Sequence, residues 1–431
     1  MDNIMNNPIL VKLQEFGQKL GSNKFLSALQ AGMMGSMAVI MVGAIATIIC
    51  VVGPMLGLFE NGSEIYKILY LPYTYTMDCI TLWIVVGIGY NYAKQLKMKS
   101  PLLVAIDCLA VFMLVAGGQL VTTEAGGTAV SNSFFGATGM FASFIIVFVV
   151  VQIEHFCAVK NIRIKMPDVC PPSLQNSFNA ILPLFFSVVI VYGANLAILL
   201  PTNGQLNLCS AIMAVLAAPL SALTSVPGMF VIGFFALLMW VFGIHGTMIV
   251  YSVLMASMME ATAYNVAAYQ AGGIEALQFF PVALFGQLAI AGGTGNTLSL
   301  CLLGLRSKSE QIKAVSRIGL VPGWFGINEP VTFGMPIMYN PILAIPYILN
   351  PLLVMLLAYF AYQVGWLIPA FVPIYSLMPM GFASFLGTFR WQQAIWDYLM
   401  IIPSGLVWYP FLKVYEKQLV AQEAAAAAEA E

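Results

Sequence analysis

The stretch "GWFGINEPVTFGMPIMYNP", residues 323–341, decides how this chain is read. It is apolar and aromatic, has no Lys or Arg, and is broken by Pro330, Pro336 and Pro341. One carboxylate, Glu329, stands at its centre between Asn328 and Pro330. Proline cannot donate a backbone hydrogen bond and pushes the preceding residue toward extended backbone. The stretch therefore predicts a turn that presents an acid within a segment as apolar as a membrane span. A carboxylate at that depth is costly unless something offsets the cost, which makes Glu329 a functional candidate. Asn328 beside it offers both a donor and an acceptor, the inventory a sugar hydroxyl needs. The alternative is a structural acid satisfied by neighbouring amides.

The rest of the chain supplies the membrane. Of 431 residues 60% are hydrophobic and 8% charged, against about 25% charged in soluble domains, and mean hydropathy is +0.89. So little charge cannot cover a water-soluble exterior. The sequence predicts an all-α polytopic membrane protein. A net charge of −1 without a basic tail excludes nucleic acid as a partner. The seven cysteines have no zinc-type spacing and read as free thiols in apolar segments.

Apolar runs near the ~20 residues a bilayer needs occur at 26–52, 73–93, 101–120, 134–157, 178–200, 208–224, 227–257, 276–305, 343–364 and 392–412. That predicts about ten transmembrane helices. Two further runs, 319–342 and 366–390, are rich in Pro and Gly and read as re-entrant hairpins, since irregular backbone at depth survives only inside protein or along a cavity. With this count the clusters Lys12/Lys19/Lys24, Lys94/Lys97/Lys99, Lys160/Arg163/Lys165, Arg306/Lys308/Lys313/Arg317 and Lys413/Lys417 all fall on one side, the cytoplasmic one, together with both termini. Lys67 and Arg390 fall opposite. Residues 1–25 read as an amphipathic interfacial helix, 26–200 as a five-helix scaffold, 201–412 as a transport domain holding both hairpins, and 413–431 as a solvated tail with no signal peptide at the other end.

His245, in "LLMWVFGIHGTMIVYS", is read as a mid-span histidine with glycines 243 and 246 beside it. Gly243 makes room for a ligand, and Trp240, one and a half turns earlier, offers a flat face for a pyranose ring. A core histidine among closely packed helices is the alternative. His155 follows Glu154 into a basic loop and reads as interfacial. The segment "AGGTGNTLSL", 291–300, lacks the ending and preceding strand of a phosphate loop. It reads as helix unwinding beside a substrate cavity, with Thr294 and Asn296 as its polar contacts. No nucleophile elbow, zinc-protease motif or acidic metal cluster occurs, so neither a metal nor a cofactor is expected. That disfavours an intramembrane glycosyl or phosphoryl transferase. A proton-coupled secondary sugar transporter, with Glu329 and His245 relaying protons, is the runner-up.

Three stretches together, "INEPVTFGMPIMYNP", "MPDVCPPSLQNSFNAILP" and "GGTGNTLSL", resemble the lactose/cellobiose (diacetylchitobiose) family of phosphotransferase-system sugar permeases, the enzyme IIC component. The resemblance implies a permease in the bacterial cytoplasmic membrane that imports a β-linked disaccharide such as cellobiose, diacetylchitobiose or lactose. It implies that a phosphocysteine on a separate IIB protein, fed by IIA, HPr and enzyme I, phosphorylates the C6 hydroxyl. Glu329 and His245 then contact that hydroxyl, Glu329 as proton acceptor. A homodimer through the first five spans and rigid-body, elevator-type movement of the second half are also implied. None of the seven Cys lies in a soluble domain, so the phosphocysteine is expected from the partner.

Overall fold

The computed structural model describes residues 22–430, except 119–120, 123–125, 168–169, 336, 339 and 376–377. The helix read at 1–25 lies almost wholly outside the described residues, as does Asp168 of the proline-rich loop. The regular structure of the described residues is helical, apart from one two-residue antiparallel pair, Val121–Thr122 with Thr128–Ala129. Among the described residues, five helical segments are long and apolar enough to cross a membrane: Lys24–Pro54, Glu64–Gln95, Ala137–Val159, Leu174–Leu199 and Pro341–Gln363. The chain is a multi-pass membrane protein.

It divides into two compact units. Ser22–Ser221 with Met255–Ala263 form the first, and Ala222–Leu254 with the chain from Tyr264 onward form the second. The boundary at Ser221 lies one helix beyond the division near residue 201 read from the sequence.

The first unit holds α1 (Lys24–Gly35), α2 (Met37–Met55), α3 (Glu64–Thr76), α4 (Ile80–Gln95), α5 (Pro101–Ala116), α6 (Met140–Val159), α7 (Pro172–Leu199) and most of α8 (Leu208–Leu223). Helix α4 is its centre, packed on α1, α5 and α6 and burying Ile80, Ile84, Val85 and Ile88. Its crossing with α1 is backbone to backbone. A Cβ on Gly32 would sit 2.5 Å from the Ile88 amide nitrogen, and one on Gly87 2.8 Å from the Gly32 carbonyl. Without a hydrophobic drive between helices in lipid, such small-residue contact is what holds them.

The second unit holds α9 (Val226–Val241), α10 (Gly246–Gly272), a 3-10 stretch at Pro281–Ala289, α11 (Leu298–Gly304), α12 (Glu310–Trp324), α13 (Glu329–Gly334), α14 (Pro341–Gln363), α15 (Phe382–Thr388), α16 (Trp391–Leu399) and α17 (Ile401–Ala430). The middle of α10, Met255–Ala263, groups with the first unit. Several expected spans are interrupted here. The run 227–257 breaks at Phe242–His245, where Gly243 takes φ +78°. The run 276–305 is 3-10 helix, then turns, then seven residues of α11. The run 392–412 breaks at Met400. Of the two hairpin stretches, 319–342 opens inside α12 and turns at Gly326 (φ +80°) into six-residue α13, and 366–390 is irregular until α15. Length and hydropathy over these runs resemble spans, but clustered Gly and Pro end each helix early.

The tail is a helix, as expected, yet it is not merely solvated. Glu416 Oε1 accepts from Ser307 Oγ and the Lys308 amide, both at 2.6 Å, and its Oε2 from Lys413 Nζ at 2.7 Å. One turn and more along, Glu423 accepts from Ser309 Oγ at 2.6 Å and the Gln311 amide at 3.2 Å. Both anions thus sit at the N-terminus of α12, where free amides and the helix dipole favour negative charge. Burial opposes ionisation of Glu416, which is 6% exposed, but its hydrogen bonds win and hold its pKa at about 2 against a usual 4.5. A depressed carboxylate pKa stabilises the fold fully above the unfolded value and loses that stabilisation as pH falls through the folded one. Wild-type and Glu416→Gln should therefore differ by up to about 3 kcal/mol at pH 7. The gap in melting temperature should close between about pH 4.5 and pH 2. A gap that persists unchanged at pH 2 would show that the charge is not what holds the clamp.

Candidate functional site

The residues singled out in the sequence gather inside the second unit. Helix α9 ends at Val241, and the chain reverses so tightly that a Cβ on Gly246 would meet the Ala236 carbonyl at 2.2 Å. That reversal corrects the mid-span reading of His245, which instead occupies the N-cap of α10. Its Nδ1 accepts the Met248 amide at 3.3 Å. An Nδ1 engaged as acceptor places the proton of the neutral ring on Nε2, and Nε2 has no hydrogen bond among the described residues. Trp240 belongs to the preceding helix rather than to the same one. Its ring lies 4.2 Å from that of His245, centroid to centroid, tilted by 52°. Gly243 contributes its conformation: its positive φ makes the reversal.

Thr247, which sequence reasoning missed, is the hub. Its Oγ1 accepts from Trp240 Nε1 at 3.0 Å and lies 3.3 Å from His245 Nδ1 and 3.1 Å from Thr294 Oγ1. A hydroxyl with one proton and two lone pairs is fully used by such a set. Thr247→Val should leave the buried Trp240 N–H without an acceptor and cost about 1–3 kcal/mol. Thermal unfolding of the purified variant checks this, and Thr247→Ser should recover most of the loss.

The unwound segment 290–297 forms the second wall. Positive φ at Gly292, Gly293, Gly295 and Asn296 bends it into successive turns. Asn296 is fully buried and spends its amide on the protein itself, accepting the Ala291 amide at 2.9 Å and donating to the Gln287 carbonyl at 3.1 Å. It holds the turn through these two bonds. Thr294 instead offers two groups. Its hydroxyl joins Thr247, and its carbonyl accepts Asn328 Nδ2 at 2.5 Å. From α14, Asn350 Nδ2 holds the Gly295 carbonyl at 2.9 Å, and the Tyr347 ring fills the space where a Cβ on Gly295 would fall, 2.4 Å away.

Glu329 completes the arrangement at the first position of α13, after Asn328 at the N-cap position, whose side chain makes no capping hydrogen bond. The extended backbone expected before Pro330 is not adopted. In a first helical turn no carbonyl awaits the proline nitrogen, so Pro330 fits there at little cost. Glu329 lies within electrostatic reach of both His245 and Tyr347. Glu329 Oε2, the Tyr347 hydroxyl and Asn350 Oδ1 are buried without a hydrogen-bond partner among the described residues. The Tyr347 hydroxyl lies beside Asn328 without a bond of normal geometry. Buried polar atoms are almost always paired, and these three orphans, one of them on the acid itself, suit a ligand rich in hydroxyls. Tyr347 and Asn350 come from α14, with Asn350 55 residues from the Gly295 carbonyl it holds, and carried no local signal. No group of three metal-ligating side chains occurs among the described residues.

The acid, the histidine and the amides lie within one helical unit of a multi-pass membrane protein. Residues 30–351 match the family model for the phosphotransferase system, EIIC. The chain belongs to that family. It is 30% identical to the lichenan permease IIC component of Bacillus subtilis, over 98% of this chain and 96% of the relative. It is 29% identical to the oligo-beta-mannoside-specific EIIC component of the same organism, over 94% and 92% of the two chains. It is also 29% identical to the lactose-specific EIICB component of Streptococcus mutans, over 97% of this chain and 74% of the relative. The crystal structure of ChbC, the IIC component of the N,N'-diacetylchitobiose-specific phosphotransferase system, superposes with a TM-score of 0.85. It is 28% identical and covers 95% of this chain and 98% of the other.

Proposed function

We propose that this permease imports a β-linked disaccharide and holds it while a separate phospho-IIB protein phosphorylates the sugar. The observation that carries the reading is the buried, unpartnered Glu329 Oε2, next in sequence to Asn328 and within electrostatic reach of His245 and Tyr347. A carboxylate so placed accepts the proton of a hydroxyl as that oxygen attacks phosphorus, the work of a general base. His245 Nε2–H orients the same oxygen, Trp240 supplies the apolar face, and Asn328 and Thr294 select the hydroxyl pattern. The names of the relatives, which include lichenan, oligo-beta-mannoside, lactose and diacetylchitobiose, support a β-linked sugar.

The complete set lies within one compact unit, which supports transport by rigid-body, elevator-type movement of that unit. The first unit then serves as the scaffold through which two copies pair. In this reading the interrupted apolar runs complete about ten membrane passages and two re-entrant hairpins, with both termini cytoplasmic. The basic loops face IIB, whose phosphocysteine is charged through IIA, HPr and enzyme I.

The test uses vesicles loaded with or without phosphoenolpyruvate and the soluble phosphotransferase proteins, given labelled cellobiose or diacetylchitobiose. Internal sugar 6-phosphate formed only with the donor supports the proposal. Free sugar accumulated on a proton gradient alone would replace it with proton-coupled transport.

A further inference from the structure

A cavity lies in the first unit, lined by none of the residues assigned to sugar. It has a volume of about 370 Å³ and opens where α4 ends, α5 begins, α6 ends and α7 begins. Two kinds of charge line it. Asp107 from α5 and Glu154 from α6 are 7% and 4% exposed, and Asp107 Oδ2 and Glu154 Oε1 are buried with no hydrogen-bond partner. Lys97, Lys99 and Arg163 line the same cavity from exposed positions in the adjoining loops. No basic side chain pairs with either acid, since the ion pairs among the described residues lie at Lys67–Glu64, Lys313–Glu310 and Lys413–Glu416. His155 also lines it.

This separation of charge restricts the occupant. A simple anion would be drawn to the rim and repelled by the acids; a simple cation would meet the reverse. No group of three metal-ligating side chains is present among the described residues. A small zwitterion carrying a phosphate and a primary ammonium satisfies both ends. Lys and Arg bind phosphate through charge-assisted bonds, and an ammonium brings three N–H donors to the Asp107 Oδ2 and Glu154 Oε1 atoms that have no partner. The mouth sits at helix ends ringed by basic residues, the level of lipid headgroups. Beside it Phe156, Val159 and Ile181 are 56%, 67% and 47% exposed, apolar surface suited to acyl chains.

We propose that this cavity binds a phosphoethanolamine group, supplied by an ethanolamine phospholipid with its ammonium on Asp107 and Glu154 and its phosphate at Lys97, Lys99 and Arg163. Lipid bound there would bridge four helices of the first unit and brace it.

The test is native mass spectrometry and thermal unfolding of the full chain in detergent with added phosphatidylethanolamine, phosphatidylcholine or phosphatidylglycerol. Phosphatidylethanolamine should bind about tenfold more tightly than phosphatidylcholine, whose quaternary ammonium has no N–H to donate. Preference should vanish in Asp107→Asn/Glu154→Gln. Binding of phosphatidylethanolamine and phosphatidylcholine alike should weaken in Lys97→Gln/Arg163→Gln with the preference between them kept, and these exposed positions keep the test valid if the buried variant fails to fold. Soluble O-phosphoethanolamine competing at equal affinity would keep the site but identify a soluble ligand. Equal binding of all three lipids to wild type would overturn the proposal and leave the two acids as a pair sharing one proton. So would phosphatidylglycerol as the tightest ligand.

Discussion

Glu329→Gln is expected to slow sugar phosphorylation by roughly 10²–10⁴-fold, the usual worth of a positioned general base, while sugar binding changes only severalfold. The substitution keeps shape and one acceptor oxygen but removes the basic site. Glutamine also suits the first turn of α13, so the fold should persist. The split between chemistry and binding is the diagnostic. Were Glu329 a structural acid, glutamine would leave phosphorylation near wild type and shift only the melting temperature. Phosphoryl transfer from phospho-IIB, measured in single turnover beside equilibrium binding of labelled sugar, separates the two. Unchanged phosphorylation would remove Glu329 from the reaction.

Much of this site was legible because breakers leave marks. Pro330 after Glu329 and the glycines of "AGGTGN" signal interrupted helices within apolar sequence, and the chain does unwind at 290–297 and turn before Glu329. The glycines at 243 and 246 carried the same signal for His245, but the surrounding hydropathy outweighed it and the reading ran one helix through the break. Thr247 was missed for a different reason. A lone threonine in an apolar run most often satisfies itself on the carbonyl four residues back, as Thr47 does with Gly43, and nothing local announces one that serves three partners. Tyr347, Asn350 and the Glu416 clamp depend on contacts across 55 and 109 residues, beyond any periodicity. The count of passages was least legible, because window hydropathy cannot distinguish a spanning helix from a buried, broken one.

Gly293→Ala should disable the site through geometry alone. Gly293 takes φ +81°, a region that strains any side chain. The added methyl would lie 2.7 Å from the Gly326 carbonyl oxygen and 2.9 Å from Asn328 Cγ. Backbone strain and forced repacking together cost about 2–5 kcal/mol. The easiest relief moves Asn328 away from the Thr294 carbonyl, and with it the cap on which Glu329 stands. Sugar affinity should therefore fall at least about 30-fold, equivalent to about 2 kcal/mol. Gly326→Ala is the control. Its φ of +80° is equally strained, but no atom lies within 4 Å of the added methyl. Strain alone should lower stability by about 1 kcal/mol and leave affinity within severalfold. Equal loss of affinity in both variants would mean that turn strain, rather than the seat of Asn328, controls binding. Wild-type affinity in Gly293→Ala would show that the wall at 290–297 does not position Asn328 for the sugar.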